Sequence, residues 1–193
     1  TDVPFTGKTT GQEQVTFKDG KLHGESVLYH ENGQLESKRN FVNGKLHGEW
    51  FTYYKSGELY VKNNYVNGKP HGEDVSYHKN GQLSSKNNYV NGEKKNTVYF
   101  YYYENGQLMS KENYVNGKQH GEKVNYYESG QLLSKGNYVN GKQQGENVIY
   151  YENGELYSKY NYVNGKLHGE DVSYDENGQL KSKHNYVNGK KVD

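Results

Sequence analysis

Along this chain apolar and polar residues alternate over short stretches, and glycine breaks the alternation at fixed intervals. Residues 72–90 show the pattern: Val75 and Tyr77, the break at Asn80-Gly81, then Leu83 and Tyr89, with Ser, Asp, Asn and Lys between. No segment has a 3.6-residue period, and turn signals about 11 to 13 residues apart leave no room for a helix. One glycine series is Gly33, Gly57, Gly81, Gly106, Gly130, Gly154 and Gly178, spaced by 24 with one step of 25. A second, from Gly20 through Gly68 to Gly189, has the same period, and Asn precedes most of both series. A third mark is His-Gly, at His23, His47, His71, His120 and His168. Asn-Gly between alternating segments is the strongest short hairpin signal. The pattern predicts an all-β chain, an elongated, twisted single-layer antiparallel β-meander of tandem 24-residue β-hairpin repeats. Its 14 to 16 strands, at about 4.8 Å each, would span on the order of 65–75 Å. Residues 1–20 read as an N-terminal capping partial repeat, 21–190 as one repeat domain of about seven full copies, and 191–193 as a tail.

Loop length decides which face is apolar, because a one-residue slip exchanges the faces. A three-residue loop, Lys79-Asn80-Gly81, sets Tyr77 opposite Leu83 and places Val75, Tyr77, Leu83 and Tyr89 together. That loop is a type I turn followed by glycine in the left-handed region, a G1 bulge. A three-residue loop at Val66-Asn67-Gly68 aligns Leu59 and Tyr65 with Val75. The opposite face is then Ser, Lys, Asn and Gln, and the column Phe41, Tyr65, Tyr89, Tyr114, Tyr138, Tyr162 and Tyr186 is mainly core.

Composition narrows the chemistry. The 193 residues include 22 Tyr, 24 Gly and no Cys, and the net charge is +1. Leu, Ile, Val and Phe fall below the roughly 20% at which disorder becomes a fair reading, but tyrosine replaces aliphatic core and the charge is near zero. Without Cys there is no disulfide framework, thiol nucleophile or Cys-ligated zinc. No apolar run approaches the ~20 residues of a membrane helix, and the balanced charge offers no field for nucleic acid. The chain begins at Thr1, so a targeting segment ahead of it stays open. Abundant Lys, Asn and Tyr fit an AT-rich bacterial genome.

The motif Tyr-Val-Asn-Gly-Lys-Gln-His-Gly-Glu at 114–122, followed by Tyr-Tyr-Glu-Ser-Gly-Gln-Leu at 126–132, resembles the MORN repeat in its bacterial variant. Phased copies cover about residues 12–190, and Pro4-Phe5-Thr6-Gly7 looks like the lead-in to such arrays. The resemblance implies an elongated antiparallel sheet and little chemistry. It points to bacterial surface or secreted proteins and to antitoxins, and eukaryotic arrays of the kind imply membrane contact and scaffolding.

Repetition also weighs against active sites. The His ladder invites a metal, but neighbouring copies lie about 9.6 Å apart, too far for one shared ion. Glu25, Glu49, Glu73, Glu122, Glu146 and Glu170 recur beside His-Gly and read as a cross-strand polar ladder, since a catalytic pair is normally singular. The expectation is a non-enzyme with no catalytic residue, no metal and no cofactor. The fourth copy departs from the pattern, with Gly92-Glu93-Lys94-Lys95-Asn96-Thr97 and one extra residue. It reads either as a bulge absorbing the insertion or as an interaction patch of Tyr99, Phe100 and Tyr101. Trp50, the single Trp, joins the candidate patch. The expected function is a binding scaffold for a protein or glycan, secreted or surface-displayed, with a cytoplasmic antitoxin as the alternative. Pairing of two copies through a Tyr-lined face is also open.

Overall fold

The computed structural model describes residues 3–9 and 11–192, and every helix or strand element among them is a strand. The chain divides into two compact units, Thr1–Lys95 and Asn96–Asp193, with the division inside the irregular fourth copy. In the first unit Leu35–Val42 lies between Lys21–Tyr29 and Gly48–Tyr53. Leu59–Val66 lies between Gly48–Tyr53 and Gly72–Tyr77, which pairs with Leu83–Val90. At its start Gly7–Lys8 pairs with Thr16 and Phe17, and the Phe5 and Phe17 rings meet edge-on at 5.7 Å. The lead-in thus covers what would be an open strand edge. In the second unit residues 96–102 pair with Leu108–Val115, and each later long strand pairs with the next, through Gly121–Tyr126 and Leu132–Val139 to Leu180–Val187. Each unit is an antiparallel meander of hairpin repeats.

Two kinds of turn alternate. At Asn80-Gly81 the His78 N–H donates to the Gln82 carbonyl at 2.7 Å, the Gly81 N–H donates to the His78 carbonyl at 2.8 Å, and Gly81 has φ 83°. This is the three-residue loop with Leu83 opposite Tyr77. Its counterparts Gly33, Gly57, Gly106, Gly130, Gly154 and Gly178 have φ from 77° to 99°. The other turn is shorter than expected. Val66 pairs directly with Lys69, with Asn67 at φ 52° and Gly68 at φ 81°. Two consecutive left-handed residues make a type I′ turn, whose twist matches the strands it joins and which Asn tolerates.

Two bulges in each regular repeat then reassign the faces. Tyr77 pairs with Leu83 but Ser76 pairs with Ser85, so Ser84 is an extra residue. The same slip follows Leu35, Leu59, Leu108, Leu132, Leu156 and Leu180. The second bulge is His-Gly itself: His71 N–H donates to the Asn64 carbonyl at 2.9 Å, yet Lys62 already pairs with Val75, and Gly72 has φ 84°. The expectation of one shared apolar face is therefore corrected. Val75, Tyr77 and Leu83 do lie together, but with Lys86 and Glu73. Tyr89 lies on the other face, opposite Gly72 and next to Asn87. An aromatic ring facing a glycine covers backbone that the missing Cβ leaves bare.

The Val face supplies the small core. Val27, Val75, Val124, Val148 and Val172 are 5–9% exposed, and no other aliphatic or aromatic side chain among the described residues is as buried, Ile149 included. Val75 sits between Lys62 and Lys86 across the strands, and lysine stems cover apolar surface while the ammonium stays in water. Those ammoniums meet the recurring glutamates: Lys38–Glu25 at 2.8 Å, Lys86–Glu73 at 3.5 Å, Lys159–Glu146 at 2.6 Å and Lys183–Glu170 at 2.7 Å. The hydrogen bond that each donates to its glutamate holds Lys38, Lys159 and Lys183 above the ordinary lysine pKa.

Each buried Val contributes about 1.5–3 kcal/mol at most, so links between repeats matter. The Tyr54 hydroxyl donates to the Tyr77 carbonyl at 2.8 Å, and Tyr103, Tyr127 and Tyr151 repeat that bond to Tyr126, Tyr150 and Tyr174 at 2.7, 2.7 and 2.9 Å. At the opposite ends the type I′ glycines donate back one repeat, Gly68 to Leu46 at 2.8 Å and Gly165 to Gln143 at 2.9 Å. Within each unit these bonds tie neighbouring copies together at both ends, in keeping with repeat stability by nearest-neighbour terms.

Candidate interaction face

The register shows where the repeats differ from one another. The Val face is nearly uniform within the chain: Lys stands at 38, 62, 86, 111, 135, 159 and 183, Asn at 40, 64, 88, 113, 137, 161 and 185, and only Phe51 and Phe100 interrupt the valine column. On the other face the position after Gly-Glu, or after Thr97-Val98 in the fourth copy, reads Ser26, Trp50, Asp74, Tyr99, Lys123, Asn147 and Asp171. The position after the uniform Lys reads Arg39, Asn63, Asn87, Glu112, Gly136, Tyr160 and His184. These two changing positions are direct cross-strand partners: Ser26 with Arg39, Trp50 with Asn63, Asp74 with Asn87, Tyr99 with Glu112, Lys123 with Gly136, Asn147 with Tyr160, and Asp171 with His184. Each unit thus carries a row of changing side chains along the middle of one face. The Tyr–Gly pairs flank the row on one side and small residues such as Ser37, Ser85, Ser110 and Ser158 on the other.

In the first unit Arg39 donates to Glu13 at 2.8 Å and holds its guanidinium 5.6 Å from the Phe41 ring and 5.9 Å from that of Trp50. Trp50 in turn meets Tyr65 at 5.6 Å, and its indole N–H is buried with no partner. Asp74 accepts from Asn63 and from Asn87, the latter at 2.9 Å. Burial raises the Tyr65 hydroxyl pKa, and the Asp74 charge adds to that. In the second unit Lys123 pairs with Glu112 at 2.6 Å, and the Tyr114 hydroxyl donates to the same carboxylate at 2.8 Å. Burial works to raise the Glu112 pKa, but the hydrogen bonds from Lys123 and Tyr114 outweigh it and hold it low. Glu112, first through its hydrogen bond and then with burial, pushes Tyr114 up to about 12.

The expected aromatic patch divides. Tyr99 and Tyr101 share the changing face, with ring centroids 6.4 Å apart, and Tyr99 meets Tyr114 at 5.6 Å. Phe100 points to the Val face, opposite Lys111. Trp50 holds in the first unit the repeat position that Tyr99 holds in the second. The fourth copy lacks the glycine bulge of the others. Glu93–Tyr102 is one ten-residue strand with no left-handed residue, and Thr97, buried, stands opposite Tyr114 where other copies have glycine.

The His ladder serves the turns. His71 Nδ1 faces the Asn91 N–H at 3.4 Å, His120 and His168 do the same to Asn140 and Asn188 at 3.5 Å, and Gln144 takes the role toward Asn164 at 2.9 Å. The glutamates pair with lysine rather than with histidine. The row of changing positions was missed by sequence reasoning, although the variable letters of the repeat marked its members. Only the two bulges bring them into line.

A model of the MORN repeat variant matches residues 22–43, 46–67, 70–91, 95–116, 119–140, 143–164 and 167–188. No curated protein sequence matches the chain. Among solved structures it is similar to a Staphylococcus aureus TarM G117R mutant in complex with Fondaparinux, alpha-GlcNAc-glycerol and UDP, at 15% identity and TM-score 0.31 over 50% of this chain and 19% of that one. It is also similar to a chain of the TcdB2-TccC3-Cdc42 structure, at 13% identity and TM-score 0.35 over 91% and 12%. A third is a GtfA/B complex bound to UDP and GlcNAc, at 19% identity and TM-score 0.23 over 68% and 26%. The chain spans between an eighth and about a quarter of those chains' lengths, and TM-scores this low carry no argument. Seven matches in tandem cover most of the sequence, and the chain belongs to the family of the MORN repeat variant.

Proposed function

We infer that this chain is a non-enzymatic binding scaffold that recognises a protein or glycan through the face carrying the changing row. One observation supports the reading above others: residues shared by the repeats make the stabilising face, and residues that differ are gathered on the opposite one. A repeat array binds by summing contacts over an extended surface, and recognition needs side chains that differ from place to place. Tyrosine and tryptophan there supply large contact area at low entropy cost. The working site is outside a bacterial cell, secreted or on its surface, a placement that rests on the resemblance alone.

The test uses protein and glycan arrays probed with the full chain. Tyr99→Ser with Tyr101→Ser should weaken the strongest signal about tenfold, the loss of one aromatic anchor worth ~1.4 kcal/mol. Asp171→Ser with Ser173→Ala, at the matching positions of the last copy, should cost less, and Lys183→Gln on the uniform face nothing. Equal losses from all three, with folding intact, would contradict the reading.

A further inference from the structure

The changing row holds one glycine, Gly136, and its backbone does not require one. Twenty-two other glycines have positive φ, while Gly136 does not. A Cβ at this position would come 1.8 Å from the Asn147 side-chain oxygen. The missing side chain therefore makes room for the Asn147 amide, and beside it lies a cleft of about 200 Å³, lined among others by Lys123, Tyr138, Gln143, Asn147 and Tyr160. That is below the ~300 Å³ of a drug-sized pocket and suits a single ring.

The lining defines the ligand's chemistry. Asn147 is only 6% exposed, yet its amide is poorly served within the protein. Its oxygen accepts from Gln143 Nε2 at 3.4 Å and its nitrogen donates to the Gly145 carbonyl at 3.5 Å, well beyond the usual 2.9–3.0 Å or so. A buried amide with such long bonds keeps capacity for a better partner at both its donor and its acceptor. Two lysines border the cleft: Lys123 is bound to Glu112 at 2.6 Å, and Lys135 stands opposite Val124 and so belongs to the Val face, which leaves the cleft no free cation to select an anion. Tyr138 and Tyr160 add aromatic surface, whose negative π-faces attract weakly positive C–H groups. Uncharged donors and acceptors in pairs, beside aromatic rings, match a neutral molecule with hydroxyls on its rim and C–H groups on its face.

We propose that the cleft beside Gly136 binds one pyranose ring of a neutral sugar, with Asn147 and Gln143 bonding its hydroxyls and Tyr160 covering its C–H face. This rests on the reading of the changing face as the recognition surface and commits that face, in the second unit, to a glycan.

Saturation-transfer NMR on the full chain tests it, with methyl glucoside, methyl galactoside, methyl mannoside and glucuronate each added alone at millimolar concentration. At least one neutral glycoside should receive saturation on its ring protons, and glucuronate should receive less. Tyr160→Asn, which installs the residue found at Asn63 and Asn87, should reduce the transfer at least fivefold, and so should Gly136→Ala. Tyr157→Ser, outside the cleft, should leave it unchanged. No transfer from any neutral glycoside, preference for glucuronate, or transfer that survives Tyr160→Asn in a folded chain would overturn the proposal. Those outcomes leave the array test of Tyr99 and Tyr101 standing, so failure here is distinct from failure of the scaffold reading.

Discussion

The two faces of each unit are built from alternate residues of the same strands, yet they obey different rules. On one face Val, Lys, Glu and Asn recur copy after copy, and there lie the buried valines and the Lys–Glu pairs. On the other a glycine–tyrosine row and a serine-rich row frame positions occupied by Arg, Trp, Asp, Glu, Lys, Tyr, Gly and His in turn. A sheet with so few buried aliphatics cannot spread its stabilising residues over both sides. Concentrating them on one face frees the other to vary without unfolding the array.

The sharpest way to break this comparison is to cut into both faces of one region. Val148→Ala removes a side chain that is 5% exposed and should lower unfolding free energy by about 2 kcal/mol. Ser173→Ala, on the changing face, deletes only a hydroxyl bonded to Ser182 at 2.6 Å and should cost about 1 kcal/mol at most in the same urea titration. Equal costs would remove the distinction. A smaller effect is expected where the repeats are tied together: Tyr127→Phe deletes the hydroxyl that donates to the Tyr150 carbonyl at 2.7 Å, which should cost about 1 kcal/mol. Smaller still in stability, but sharper in assignment, is the titration of Tyr114. Glu112 accepts the hydrogen bond from its hydroxyl and carries the charge that opposes a phenolate, so the folded pKa is pushed up to about 12, above the ordinary 10.0. The folded form is favoured below the unfolded pKa, and that contribution is lost as pH rises from 10 toward 12. Ultraviolet titration should show its latest phenol near 12, and Glu112→Gln should bring that one down. A late phenol that persists in Glu112→Gln would mean that Tyr114 does not reach across the changing row.

The turns were legible because Asn-Gly and the 24-residue period are local signals with a direct backbone cause. The hairpin meander followed from them, and so did the three-residue loop at Lys79-Asn80-Gly81. The faces were not legible. His71-Gly72 recurs as plainly as any turn, but a glycine between polar neighbours does not say that it is a bulge. Ser84 has no glycine at all, and only pairing across the sheet exposes it as an extra residue. Missing Ser84 moved Tyr89 onto the Val face, and grouping Phe100 with Tyr99 and Tyr101 overlooked the plain alternation of a strand. At the candidate site the aromatic members Trp50, Tyr99 and Tyr101 stood out by composition. Gly136 did not, because its role depends on Asn147, 11 residues away in sequence and on the adjacent strand.

The single tryptophan allows the most direct test of the two-face arrangement. With Trp50 and tyrosine selectively labelled, nuclear Overhauser contacts of the indole should appear to the ring of Tyr65, whose centroid is 5.6 Å away. That contact exists only if the bulge after Leu59 and the glycine bulge at Gly48 put the tyrosine column on the changing face. If Tyr65 instead shows contacts to Phe51 and the Val75 methyls, with none to Trp50, the tyrosines belong to the uniform face and the division between stability and recognition is wrong.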